Sequence, residues 1–102
     1  MIYCFDLDGT LCTNTYGKYL EAIPYETAVK EVNRLYDSGH TIIIDTARGA
    51  SSGIDWLEQT KNQLASWGVN YHELRVGKKI NADVFIDDKS INAAAWHLII
   101  AR

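Results

Sequence analysis

The sequence predicts an α/β domain built on a doubly wound parallel sheet, and three observations carry that prediction. Short β-branched runs alternate with amphipathic stretches, glycine or proline punctuates the joins, and the connections are short. Strand–helix–strand alternation of this kind favours right-handed crossovers and parallel pairing. At 102 residues the chain is about 0.7 of an average domain. A single domain over residues 1–102 is therefore expected.

Ile2-Tyr3-Cys4-Phe5 is apolar and β-rich and ends at Asp-Leu-Asp-Gly, so it reads as the first strand. Residues 13–23 are polar and aromatic without a clean period and read as a loop or small flap. Pro24 suits the first turn of a helix, where a missing N–H costs nothing. Val29, Val32, Leu35 and Tyr36 fall on one face of that helix, and Gly39 supplies a stop. Thr41-Ile42-Ile43-Ile44 is a continuous β-branched run, as in a strand buried on both faces. Ser51 or Ser52 can cap a second helix, with Ile54, Leu57, Leu64 and Trp67 as its apolar stripe and Gly68 closing it. Tyr71–Val76 reads as a third strand and Val84-Phe85-Ile86 as a fourth, ending at Asp87-Asp88. Ala93–Trp96 reads as a short helix, followed by an edge strand at Leu98-Ile99-Ile100.

Hydrophobic residues make up 47% and charged residues 23% of the chain, the balance of a globular domain rather than a disordered one. Ten basic against thirteen acidic residues give a net charge of −3. That balance argues against a nucleic acid as the main partner, since such binders carry a basic face. Cys4 and Cys12 read as free thiols of a reducing cytoplasm. Asp6 and Asp8 interrupt the apolar start before a signal sequence could form, and no run approaches the ~20 apolar residues of a membrane span. A cytoplasmic protein without a membrane segment is expected.

Ligands of a parallel α/β sheet bind outside the carboxyl ends of its strands. Asp6 and Asp8 follow the first predicted strand, Asp45, Thr46 and Arg48 the second, and Asp87 and Asp88 the fourth. Lys78 and Lys79 lie in the loop leading to that fourth strand. Several carboxylates so close would repel one another without a cation, and a hard divalent ion, Mg2+ before Ca2+, suits oxygen ligands. A bend permitted by Gly9 would turn both Asp6 and Asp8 towards one cavity. One carboxylate could then attack an electrophile while the other exchanges a proton with the leaving group. A phosphoryl group is the fitting electrophile, because positioning and charge neutralisation supply most of its catalysis.

Asp6-Leu7-Asp8-Gly9-Thr10 after an apolar strand resembles the first motif of the haloacid dehalogenase (HAD) superfamily phosphatases. Thr46, closing Ile42-Ile43-Ile44-Asp45, resembles the second motif. Lys78 or Lys79 resembles the third-motif lysine, and Asp87-Asp88 after Val84-Phe85-Ile86 resembles the acidic fourth. Thr46-Ala47-Arg48-Gly49, Trp67-Gly68-Val69, Tyr71-His72-Glu73-Leu74 and the stretch 83–89 are similar, more narrowly, to the small capless phosphatases of capsule and surface-polysaccharide biosynthesis.

The resemblance implies a Rossmann-like, capless domain hydrolysing phosphomonoesters with Mg2+. Asp6 would form an aspartyl-phosphate. Asp8 would protonate the leaving alcohol and then activate water. Thr46 and Lys78 would bind phosphoryl oxygens, with Gly9, Thr10, Arg48 and Lys79 among the phosphate- and substrate-binding residues. Asp6, Asp8, Asp87 and Asp88 would form the metal site. The implied substrate is a sugar phosphate or related small metabolite. A nucleotide or polynucleotide 3′-phosphatase is the alternative enzyme, and an inactive HAD-like binding module the alternative outside enzymes.

Bland readings stand beside these. An EF-hand counted from Asp6 would need glycine where Leu11 stands, so that reading fails. Lys78 is favoured over Lys79 because Gly77-Lys78 aligns with the family's Gly-Lys, although Lys79 stands where a proline is usual. Arg48 is either a substrate clamp or the partner of Asp45, and pairing with Asp45 is the default. Tyr16, Tyr19 and Tyr25 either line a substrate-facing flap or pack over the sheet edge. Trp56, Trp67 and Trp96 read as core or interface residues, and His40, His72 and His97 lack metal spacing. About 35 residues lie between Thr10 and Thr46, too few beside a helix for an inserted cap domain. An open site is expected, screened at most by the flap or by a neighbouring subunit of a homo-oligomer.

Overall fold

A computed structural model describes residues Met1–Ala101. Three parallel strands lie in the order β1 (Ile2–Phe5), β2 (Thr41–Thr46) and β3 (Glu73–Val76). Helix α1 (Glu26–Asp37) joins β1 to β2, α2 (Leu57–Ser66) joins β2 to β3, and α3 (Ala93–Ile100) follows β3. The class is α/β, as the alternation predicts.

Helix α1 forms because its apolar residues share one stripe: Ala28, Val29, Val32 and Leu35 are buried. It packs against β2 and α3, while α2 packs against β3. Glu26 in its first turn and Arg34 in its last suit the helix dipole. One face of the sheet, carrying Phe5, Ile42 and Ile44, joins Val32, Leu35 and Leu64 in a single core. Each aliphatic side chain buried there stabilises the fold by about 1.5–3 kcal/mol.

The opposite face is more open. Ile2, Cys4, Glu73 and Arg75 are exposed, and Ile43 and Asp45 are half-buried. The run Thr41–Ile44 is therefore buried on alternate residues, not on both faces as its composition predicts. Neighbours in register share a face, and Cys4 and Glu73, which flank Ile43, leave it uncovered.

Five other expectations are corrected. α1 begins at Glu26 after its N-cap Tyr25, so Pro24, which bridges to Cys12, lies outside it. α2 begins at Leu57 rather than at Ser51 or Ser52, because Ser52 Oγ accepts from the Ile54 N–H and Asp55 Oδ1 from the Leu57 N–H. Such local side-chain bonds compete with helix formation. β3 starts at Glu73, two residues late. Val84-Phe85-Ile86 forms no strand; these residues are 73%, 56% and 97% exposed. Leu98-Ile99-Ile100 is the last turn of α3, since Asn92 caps that helix through the Ala94 N–H and carries it to Ile100.

Candidate active site

Parallel strands place the ends of β1, β2 and β3 on one edge, so Asp6, Thr46 and the loop after Val76 converge there. The chain reverses immediately after β1. The N–H groups of Thr10 and Leu11 donate to the Leu7 carbonyl, and the Gly9 N–H donates to the Cys12 carbonyl. Gly9 holds φ +87°, a left-handed conformation that L side chains resist. The turn drives Leu7, Leu11 and Cys12 into the core with no exposed surface. Asp6 and Asp8, flanking Leu7, are left facing one cavity.

Asp8 pairs with Arg48, not with solvent. Arg48 Nε donates to Asp8 Oδ2 at 2.9 Å and Nη2 to Oδ1 at 2.8 Å, a bidentate fork. The Arg48 side chain has 0% exposure and that of Asp8 16%. Nη1 donates to Gln63 Oε1 at 2.7 Å and to Thr60 Oγ1 at 3.3 Å on α2. The guanidinium also lies 4.6 Å from the Tyr19 ring centroid. Arg48 thus neither pairs with Asp45 nor stands free to clamp substrate. Asp45 instead lies beside Arg75 in the strand register.

The turn after β2 allows no side chain at the next position. Gly49 has φ +83°, and a Cβ there would collide with the Ile54 carbonyl oxygen. This close approach brings Ile54 and Trp56 to the cavity wall.

Lys79, rather than Lys78, reaches Asp6. Its Nζ is 3.3 Å from Asp6 Oδ1, with the lysine 24% and the aspartate 42% exposed. Lys78 is exposed, and both lysines line a second hollow with Asp45 and Arg75. The loop after Gly77 carries the second lysine, not the first, towards Asp6. Gly9 and Thr10 lie in the turn beside the cavity, with the Thr10 carbonyl held by His97 Nε2 at 2.7 Å.

The expected metal set is not assembled. Both Asp8 oxygens accept from Arg48, and Asp6 faces Lys79. Asp87 and Asp88 are exposed in the segment where the fourth strand was expected, and Asp87 Oδ1 accepts from the Lys89 N–H. That bond holds the Asp87 carboxyl below its ordinary range. Among the described residues no three His, Cys, Asp or Glu lie close enough to hold an ion. The donor set as arranged does not fit Mg2+.

The cavity measures about 540 Å³ and has Asp6, Asp8, Thr46 and Arg48 at its base. Thr46 is 1% exposed, and its Oγ1 accepts from the Arg48 N–H at 3.3 Å, leaving the hydroxyl hydrogen free to donate. The walls carry Asn14, Ser51, Ser52 and Asn81 with Tyr16, Tyr19 and Trp56. Tyr16 is 90% exposed at φ +54°, an unfavourable conformation for an aromatic residue. Tyr25 packs edge-on against His97 and takes no part. Trp56, read from sequence as a core or interface residue, meets Tyr19 edge-on at 5.0 Å. Helical periodicity would place Ser51, Ser52 and Trp56 on a helix, whereas they precede α2 and line the cavity.

Cys12 lies under Asp8, with its Sγ 3.6 Å from Oδ1. Burial, aided by the neighbouring Asp8 charge, pushes its thiol up to about 12. Cys4 and Cys12 are both free thiols. No described helix is long and apolar enough to cross a membrane.

A crystal structure of a target protein from Vibrio cholerae shares this fold. It superposes with a TM-score of 0.80 at 26% sequence identity, over 91% of this chain and 84% of that one. No protein-family model matches the chain, and no curated protein matches it.

Proposed function

We propose that this chain is a phosphomonoester hydrolase of the haloacid dehalogenase type, acting through an aspartyl-phosphate at Asp6. The observation that carries the proposal is a half-exposed Asp6 that shares one cavity with Thr46 and a fixed Asp8 and meets Lys79 from the adjoining hollow. An exposed carboxylate can approach phosphorus, and a lysine beside it can offset the charge of phosphoryl oxygens. Thr46 would donate its hydroxyl to one of those oxygens.

In the first step a bond forms from an Asp6 oxygen to phosphorus while the ester P–O bond breaks. Asp8, having taken a proton from the bound phosphomonoester monoanion, gives it to the leaving oxygen. In the second step water attacks phosphorus, the Asp6–phosphate bond breaks, and Asp8 takes the proton back. These steps use the chain's own groups, because the carboxylates that the resemblance assigns to Mg2+ do not come together here.

The walls favour a small hydroxylated leaving group. Asn14, Ser51, Ser52 and Asn81 are neutral hydrogen-bonding groups, and Tyr16 and Trp56 offer flat apolar surface. A sugar phosphate matches that lining. A nucleic-acid end would want free cations, and the arginine at the cavity base is already paired. The doubly wound, capless form of the fold and a cytoplasmic setting belong to the same reading.

The test is phosphate release from a broad panel of aryl, sugar and nucleotide monoesters, with and without Mg2+. Release, fastest from sugar phosphates among the natural esters, is expected. No release from any ester would overturn the proposal in favour of a binding module.

A further inference from the structure

The least exposed charge in the candidate site belongs to Arg48, and every contact of its guanidinium is made within the protein. A buried guanidinium is costly unless its donors are satisfied. Here Nε and Nη2 are spent on Asp8, and Nη1 on Gln63, Thr60 and Gln59 at 2.7, 3.3 and 3.3 Å. The one anion it serves is Asp8. Reaching a substrate phosphate would mean breaking that fork, so a direct phosphate-binding role fits poorly.

The other side of the arrangement is the flap. Gln63 accepts from Arg48 through Oε1 and donates through Nε2 to the Tyr19 carbonyl at 2.7 Å. The Tyr19 ring covers the guanidinium from the remaining side. Asp8, Arg48, Gln63 and Tyr19 therefore form one connected unit that ties the turn after β1 to α2 and to the flap.

We propose that Arg48 is a positioning residue for Asp8, held in place by Gln63, and that this unit aims the Asp8 carboxyl at the leaving oxygen. The inference rests on reading Asp8 as the proton donor. An aspartate on its own can swing its carboxyl plane, and a bidentate fork fixes that plane. A carboxylate offers about four lone-pair sites. The fork occupies one on each oxygen, which leaves sites for the transferable proton on the cavity side. During the first step that proton moves to the ester oxygen as its bond to phosphorus breaks, and Arg48 itself exchanges no proton.

Such a role has a signature that simple loss of structure lacks. An alkoxide leaving group needs the proton, whereas a p-nitrophenolate leaves without one. Misplacing Asp8 therefore slows alkyl esters more than activated aryl esters. The experiment compares kcat and KM of the whole protein on p-nitrophenyl phosphate and on whichever alkyl phosphate of the panel it cleaves fastest. The variants are Arg48→Lys and Gln63→Ala, each checked by thermal unfolding.

Arg48→Lys is expected to lose about 100-fold in kcat on the alkyl ester and about tenfold or less on the aryl ester, with KM little changed. Gln63→Ala is expected to show the same bias at roughly a tenth of the size. Equal losses on both esters, or a rise in KM alone, would overturn the positioning role while leaving the hydrolase reading intact. If Arg48→Lys does not fold, the bias in Gln63→Ala decides by the same criterion. A wild type that cleaves only the aryl ester removes the need for a proton donor and overturns the role. One that cleaves neither ester overturns the hydrolase reading as well.

Discussion

Asp6 and Asp8 stand two residues apart and live in opposite surroundings. Asp6 is 42% exposed and faces a single lysine at 3.3 Å. Asp8 is 16% exposed and is gripped through both oxygens by a fully buried arginine. One carboxylate is free to move towards a ligand, and the other is fixed in direction. An approachable carboxylate suits the proposed nucleophile, and one fixed in direction suits the proposed proton donor. The division follows from one local event: Leu7 turns into the core, and Gly9 lets the chain reverse beneath it.

Making the same substitution at both positions separates the two roles. Asp8→Asn sets an amide donor against the Arg48 fork and leaves a buried guanidinium without its anion. A loss of about 3 kcal/mol in chemical unfolding is expected. Asp6→Asn, at an exposed pair, is expected to stay within about 0.5 kcal/mol of wild type. Equal losses would erase the distinction between the two sites.

Gly49→Ala attacks the turn that presents Arg48. Its Cβ would strike the Ile54 carbonyl at a positive φ, so a loss of about 2 kcal/mol is expected by the same measurement. The exposed side of the comparison is sharpened by the lysines. Lys79→Met is expected to lower kcat/KM roughly 10- to 100-fold, and Lys78→Met to change it less than about twofold.

The smallest effect concerns Cys12. Burial pushes its thiol up to about 12 in the fold, above the ordinary 9.0 of an open chain. Between those values the unfolded chain releases a proton that the folded chain keeps, so stability falls as pH rises past 9. The contribution is on the order of 1 kcal/mol per pH unit. It should vanish in Cys12→Ala when urea unfolding is compared between roughly pH 8 and pH 10.

The strands β1 and β2, helix α1 and the cluster at the sheet edge were legible because burial imposes a period that sequence records. Asp6, Asp8 and Thr46 follow directly from that placement. The partner of Arg48 was not legible, because Asp8 lies forty residues away in the chain and only the fold joins them. Asp45 looked the nearer partner, yet strand alternation points it to the face opposite Thr46. The lysine choice turned on loop conformation, which two adjacent identical residues cannot reveal. Val84-Phe85-Ile86 has strand composition without a strand partner, since an apolar run needs a free backbone ladder before it can pair. With it went the expected approach of Asp87 and Asp88 to Asp6.

The central claim is a covalent bond between Asp6 and phosphate. The direct measurement is rapid acid quenching of the protein during turnover of p-nitrophenyl phosphate, followed by mass analysis of its peptides. A phosphoryl group on the peptide bearing Asp6, absent from Asp6→Asn, is the expected result. Steady phosphate release by Asp6→Asn, or a phosphoryl group carried by another residue during turnover, would contradict it.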